Sequence, residues 1–326
     1  MGIDLGTANT LIYTPKKGIV LNEPSMITYS QNSVKEVGLA AKEIAGKHND
    51  EYETIRPLRD GVIAEFTAAE DMIQEFIKKS EIPRLLLNHI VCGVPTGITQ
   101  VEQRAVIDTI ERAGARQVSL VAEPMAAAIG VGLDVLKPKA SMVVDIGGGT
   151  TDIAVIAYGG IVVDNTIKVA GDELTMSIVH YLKNTHNLLI GEQTAEQLKI
   201  NFGSALSQRV NRKLNIKGRD LILGQPKIVE MPVNEIYYAM DYVINSIVTA
   251  VKITIERTPP DLVSDLIDFG VVLTGGGALI KGLDQRISKG INLPVHVADN
   301  PLLSVVNGTK RIIESYDQIK TVLLRR

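Results

Sequence analysis

Cysteine is almost absent: Cys92 is the only one in 326 residues. That excludes an internal disulfide and fits a reducing compartment. Cys92 stands in the apolar run His89-Ile90-Val91-Cys92-Gly93-Val94, the setting of a buried, inert thiol. The five histidines show no metal-ligand spacing with one another or with Cys92. No run of about 18 uncharged apolar residues occurs, which excludes a membrane-spanning helix. No secretory signal precedes the first motif. The sequence begins almost inside a strand, at Met1-Gly2-Ile3-Asp4, so the natural chain is expected to start earlier. Excess positive charge is also missing: the net charge of −3 argues against a general nucleic-acid binder.

Apolar residues, by contrast, make up 45% of the chain, enough for two helix-covered sheets at a length too great for one small core. The most informative feature is a hairpin that occurs twice. Near the start the chain reads Asp4-Leu5-Gly6-Thr7-Ala8-Asn9-Thr10 and runs on to Gly18-Ile19-Val20-Leu21, as a strand, a turn and a return strand. Later, Asp145-Ile146-Gly147-Gly148-Gly149-Thr150-Thr151-Asp152 leads into an apolar strand, a Gly159-Gly160 turn and Ile161-Val162-Val163. Each copy places a carboxylate at a strand end, then small residues whose N–H groups can face an anion, then a hydroxyl. Two such loops facing each other would grip a polyphosphate from both sides. Asp4 and Asp145 would hold its Mg2+ through water, because magnesium needs only one or two carboxylates beside phosphate oxygens. The pattern points to a two-lobed phosphotransferase or ATPase with its nucleotide in the cleft.

Strand–helix alternation fills the space between the hairpins. Thr67 to Ser80 places Met72, Ile73, Phe76 and Ile77 on one helical face. Asn88 to Val94 reads as a buried strand, and Thr99-Gln100-Val101-Glu102 as a capping box opening a helix with Ala105, Val106 and Ile110. Val118 to Val121 is the next strand, and Pro124 suits the first position of another helix. Such alternation implies a largely parallel sheet with right-handed crossovers. The second lobe restarts at Ser141-Met142-Val143-Val144-Asp145. Two stretches break the rhythm and are expected to be inserts: Asn22 to Arg56, including Lys47-His48-Asn49-Asp50-Glu51, and Gly171 to Asn234. A long helix from Glu235 to Arg257, with Tyr242, Ile244, Ile247, Val248, Val251 and Ile255 inward, should stop before Pro259-Pro260. Gly270 to Thr274 is then a buried strand feeding Gly275-Gly276-Gly277 and a further helix; the triple glycine lets a base or phosphate approach closely.

These motifs resemble the actin-like ATPase superfamily and, at finer grain, the bacterial actin MreB family. The closer resemblance rests on Asp4 to Tyr13, Asn22 to Ser25, Arg56-Pro57, Asp60 to Ala64, Glu123 to Gly130, Val143 to Thr151 and Leu273 to Leu279, distributed over the whole chain. It implies an α/β, actin-like (ribonuclease H-like) fold, duplicated and two-lobed, each lobe a mixed sheet flanked by helices plus a small inserted subdomain. The expected division is 1–21, 54–138 and 309–326 for the first lobe core and 22–53 for its insert. The second lobe core would be 139–171 and 235–308, with the insert at 172–234.

The resemblance also implies roles. Glu123 would order or polarise the attacking water and Thr150 would hold the same water. Glu196 and Lys199 would touch ribose and base, although an i, i+3 charge pair on a solvated helix is the alternative. Gly6, Thr7, Ala8, Asn9, Gly147, Gly148, Gly149, Thr150, Gly275, Gly276 and Gly277 complete the expected site for ATP or GTP with Mg2+. The implied protein is a slow ATPase coupled to polymerisation. It would form head-to-tail protofilaments, paired antiparallel, on the inner face of the cell membrane, and would govern cell shape. The loop Ile82-Pro83-Arg84-Leu85-Leu86-Leu87 matches the family's membrane-inserting loop, with Ile82, Leu85 and Leu86 as the inserting residues. Lys78, Lys79, Arg84 and the terminal Arg325-Arg326 could add about 1 kcal/mol each on anionic lipid. The competing reading makes Leu85 and Leu87 the start of a buried strand.

Departures from the family pattern are expected to bear on turnover and lobe rotation. Ala122 replaces an acidic residue, Asp152 a glutamate and Thr175 an aspartate, and Val306-Asn307-Gly308 is bulkier than expected at the second interlobe crossing. Two other classes share such phosphate loops. A chaperone-type ATPase should continue into a peptide-binding domain, which is not found up to Arg326. A small-molecule kinase needs an aspartate general base and a polar substrate pocket, and no constellation marks one.

Overall fold

A computed structural model describes residues 1–31, 33–46, 51–207 and 212–324. Lys47-His48-Asn49-Asp50 of the first expected insert and the terminal Arg325-Arg326 lie outside the described residues. Two five-stranded mixed sheets have the same topology. In the first, Gly2–Leu5 is central, antiparallel to Asn9–Thr14 and parallel to Ile90–Val94, with Gly18–Pro24 and Val118–Ala122 at the edges. In the second, Ser141–Ile146 takes that place, antiparallel to Thr151–Ala157 and parallel to Val271–Thr274, with Gly160–Ile167 and Val295–Val297 outermost. The twin hairpins therefore occupy equivalent positions, and each central strand delivers its carboxylate to the same end of its sheet.

Helices cover these sheets because their apolar faces demand it. Phe66–Lys79 buries Met72, Ile73, Phe76 and Ile77. Gln100–Arg112 buries Val106 and Ile110 and is opened by a complete capping box between Thr99 and Glu102. Asn234–Arg257 buries Ile244, Ile247 and Val251 and ends before the two prolines. Tyr242, expected inward, is instead 82% exposed. Two residues along a helix is a turn of about 200°, so Tyr242 cannot share a face with Ile244. The strand expected from Asn88 begins at Ile90, because Arg84–Leu87 closes as a short 3-10 turn. Gly276–Leu279 is likewise a 3-10 turn, and the following α-helix starts only at Leu283.

Each irregular stretch holds a small sheet. Ser33–Val37, Ile27–Ser30 and Tyr52–Ile55 form one, with the helix Leu39–Ile44. Leu188–Leu189, Lys213–Asp220 and Pro226–Pro232 form the other. The helix Gly171–His186 before it shares the second lobe's core through Leu174, Ile178 and Leu182. Among the described residues no helix is long and apolar enough to cross a membrane.

Two helices join the lobes. Glu123–Val131 leads from the first sheet to the second, and Ser304–Glu314 returns. They touch backbone to backbone: a methyl group at Gly130 would lie 1.9 Å from the Ser304 carbonyl oxygen, and one at Gly308 would lie 1.8 Å from that of Ala126. The crossing expected to be bulky is therefore tight. Val306 does not enter it; the side chain is buried with Leu11 and Tyr13 of the first sheet.

Candidate functional site

The two hairpin turns meet across the space between the sheets. Both are closed by the same bond, Gly6 N–H to the Asn9 carbonyl at 3.1 Å and Gly147 N–H to the Thr150 carbonyl at 2.9 Å. A methyl group at Gly148 would stand 2.8 Å from the Ala8 Cβ, and one at Gly149 3.0 Å from the Thr7 hydroxyl. Thr7 in turn accepts from the Gly61 N–H at 2.9 Å, which fixes the first turn from behind.

A crevice of about 940 Å3 opens beside the turns, large enough for a nucleotide. Its walls contain every residue expected of a nucleotide and metal site. From the first hairpin come Asp4, Gly6, Thr7, Ala8 and Asn9; from the second, Asp145, Gly147, Gly148, Gly149 and Thr150. Glu123, Glu196, Lys199, Gly275, Gly276 and Gly277 complete the set. Glu123 is the first residue of the connecting helix Glu123–Val131, so it sits where that helix leaves the first sheet. Gly275 has φ 78°, and a Cβ there would lie 2.4 Å from Asp145 Oδ1; only glycine lets this turn rest on the carboxylate.

The crevice floor is strongly acidic. Burial pushes the Asp4 carboxyl up to about 7. Burial, then Asp152 and Asp4, raises Asp145 well above the carboxylate range. Glu123 is raised for the same reasons, burial first and then Asp152, Asp4 and Asp145. Groups so placed favour a cation among them. Among the described residues no three acidic, His or Cys side chains form a metal cage. The buried Asp4 and Asp145 carboxylates fit the needs of Mg2+, which takes one or two carboxylates and fills its octahedron with water and phosphate oxygens.

On the other wall, Lys199 Nζ pairs with Glu196 Oε2 at 2.7 Å and donates to the Gly171 carbonyl at 2.8 Å. The i, i+3 pair of the alternative reading is thus present, and both members line the crevice. Thr175, buried beneath them, bonds the Glu196 carboxylate and the Gly171 carbonyl.

Sequence reasoning missed three features. Arg56 bridges the crevice mouth to Asp172 at 3.0 Å and Glu192 at 3.2 Å, and Gln193 donates to the Lys42 and Ala45 carbonyls alongside. Arg56 stood in a recognised run and Asp172 at the start of the second expected insert, but only the fold pairs residues so far apart. Leu279, Leu302 and Ile200 give the crevice apolar lining, 58%, 47% and 64% exposed. No local motif marks Leu302, which packs against Gly276 from the 3-10 turn Pro301–Leu303. Asp152 was singled out only as a departure, yet it lies buried among the site carboxylates.

The loop assigned to a membrane lies apart from the crevice. Leu85 is 76% exposed on the 3-10 turn, Leu86 is half-buried and Leu87 buried. Ile82, expected to insert, packs partly on the first lobe's core. Cys92 is fully buried, and its thiol is pushed up by burial and by Asp4 and Glu123.

Comparison with known proteins agrees with this geometry. The sequence model of the MreB/Mbl protein family matches residues 1–321. The cell shape-determining protein Mbl of Bacillus subtilis (strain 168) is 45% identical over 98% of this chain and 97% of its own length. The cell shape-determining protein MreB of Escherichia coli (strain K12) is 44% identical over 97% of this chain and 94% of its own. Among solved structures, MreB5 of Spiroplasma citri bound to AMPPNP superposes with a TM-score of 0.92 at 34% identity, covering 97% of this chain and 96% of that one. The MamK double helical filament shares the actin-like fold, with a TM-score of 0.79 at 20% identity, over 96% of this chain and 98% of that one. A duplicated actin-like fold, twin glycine-bearing hairpins across one crevice and full-length similarity lead to one conclusion: the chain belongs to the MreB/Mbl family.

Proposed function

We propose that this protein is a cytoskeletal ATPase that polymerises head to tail and takes part in determining cell shape. The observation that carries the reading is the crevice between the two hairpins, with Glu123 on the helix that hinges the lobes. Relatives named as cell shape-determining proteins support the cellular role, and the structures of Spiroplasma citri MreB5 bound to AMPPNP and to ADP favour ATP over GTP.

In this reading the N–H groups of Gly6 to Asn9 and of Gly147 to Thr150 cradle the phosphates from either side. Glu196 and Lys199 hold the ribose and base against Gly275, Gly276 and Gly277. Asp4 and Asp145 would hold Mg2+ through water, and the ion would supply positive charge beside the phosphates. Glu123 accepts a proton from the attacking water while the Thr150 hydroxyl fixes its position; phosphoryl transfer needs little beyond such placement. Loss of the γ-phosphate loosens one loop from the other. The lobes then turn about the Glu123–Val131 and Ser304–Glu314 crossing, which changes the ends presented to the next subunit. The lobes divide as 1–21, 54–138 and 309–326 against 139–171 and 235–308, with inserts at 22–53 and 172–234. A heterologous contact of this kind does not close and so makes a filament.

Membrane attachment at the cytoplasmic face follows from Leu85 and Leu86 beside Lys78, Lys79 and Arg84, with antiparallel pairing presenting that face on both strands. One sedimentation experiment tests assembly and attachment together. With Mg·ATP the protein should pellet, and it should carry anionic vesicles with it. Leu85→Glu with Leu86→Glu should still pellet but leave the vesicles behind. A protein that stays monomeric in every nucleotide would refute assembly; unchanged vesicle binding by the double variant would refute the loop's role.

A further inference from the structure

Asp152 is 1% exposed, and its two oxygens are used differently. Oδ1 accepts three bonds: from the Thr96 N–H at 3.0 Å, the Thr96 hydroxyl at 3.3 Å and the Thr166 hydroxyl at 2.7 Å. Thr96 follows the first lobe's strand Ile90–Val94, whereas Asp152 and Thr166 belong to the second lobe's sheet. The contact is reinforced alongside, where the Gly97 N–H donates to the Thr166 hydroxyl at 3.1 Å. Oδ2 is equally buried and has no hydrogen-bond partner among the described residues. A buried acceptor left unmade is costly, more so on a charged group, so a donor is expected to reach Oδ2 in the working protein.

The nearest suitable donor is two residues back. Burial raises the Asp152 carboxyl overall; against that, after Thr166 and the Thr96 N–H, the Thr150 hydroxyl stands close enough to favour the charged form without completing a bond to Oδ2. A second first-lobe turn lies against both Thr150 and the loop that carries Thr96: a methyl group at Gly61 would lie 3.2 Å from the Thr150 methyl and 2.5 Å from Pro95. Thr150 thus stands between the crevice and an interlobe contact.

We propose that Asp152 is a positioning residue that acts through Thr150. Anchored at Oδ1 by Thr96 of the opposite lobe, it accepts the Thr150 proton at Oδ2 and leaves that hydroxyl's lone pairs to receive the attacking water. The hydroxyl is then aimed correctly only while the lobes hold the Thr96 contact, which ties hydrolysis to lobe geometry. This rests on the hydrolysis reading given above.

Asp152→Asn tests it. The amide keeps an acceptor for Thr96 and Thr166 and places an NH2 group, which cannot accept, at the Oδ2 position. Phosphate release at saturating ATP should fall about tenfold, the worth of one transition-state hydrogen bond, with KM, nucleotide affinity and melting temperature unchanged. In a Thr150→Val background the same substitution should have no further effect, because the group it acts through is gone. Thr166→Val keeps both Thr96 bonds to Asp152 but removes the hydroxyl that Thr96 and Gly97 also meet, so it should lower turnover by a smaller factor, and it serves if the Asn variant does not fold. Undiminished turnover in Asp152→Asn, or in Thr166→Val where that stands in, overturns the inference, as does an equal loss with Thr150 and without it. Wild-type protein that binds ATP yet releases no phosphate would overturn the hydrolysis reading itself.

Discussion

Glu123→Gln should slow phosphate release about 100-fold or more, the usual worth of a positioned proton acceptor, while ATP binding and assembly persist. The amide preserves the side chain's size, so the crevice keeps its shape and only the capacity to take a proton is lost. Single-turnover release with a phosphate sensor, beside titration with a fluorescent ATP analogue, separates the two effects. Wild-type release would strip Glu123 of its role. Stability offers an independent check. Burial and neighbouring carboxylates raise Glu123 well above its ordinary range. A carboxylate whose folded pKa is raised contributes stability that is full below its unfolded value, about 4, and is lost as pH rises through the folded value. The nucleotide-free Gln variant should therefore melt no lower than wild type in alkaline solution, and its stability should fall less with rising pH.

Gly308→Val should destabilise the junction of the lobes by about 3 kcal/mol, the upper range for overpacking, because its Cβ meets backbone rather than a movable side chain. The Ala126 carbonyl oxygen would lie 1.8 Å away, and its helix begins at Glu123. Either the two helices part, which drags Glu123 from the phosphate site, or the helix Ser304–Glu314 unravels. Both outcomes lower the denaturant midpoint and slow turnover. Ile313, on the same helix and only partly buried, is the control: Ile313→Val removes one methylene and should change little. An unchanged midpoint for Gly308→Val would mean that the crossing is looser than its geometry indicates.

The parts of this structure that were legible in the sequence are those written locally. A capping box, a helix-period stripe and two proline stops fixed Gln100–Arg112, Phe66–Lys79 and the end of Asn234–Arg257. The duplicated hairpin carried more, because two copies of one motif imply two equivalent sheets. Features that depend on distant residues meeting were not legible. The Arg56 bridges, the Leu302 wall and the Thr96–Asp152 contact each join positions tens to hundreds of residues apart. The tight crossing was misjudged for a related reason: a triplet judged by bulk does not reveal that Gly308 alone faces the partner helix while Val306 turns to Leu11 and Tyr13. Tyr242 was misplaced by counting apolar character without angle.

The central claim is that a single Mg·ATP is held by both hairpins at once, and calorimetric titration with Mg·AMPPNP tests it most directly. Wild type should bind one nucleotide per chain, and Asp4→Asn or Asp145→Asn alone should abolish the gain in affinity that magnesium brings. Two independent sites, or magnesium-dependent binding that survives either substitution unchanged, would contradict the account.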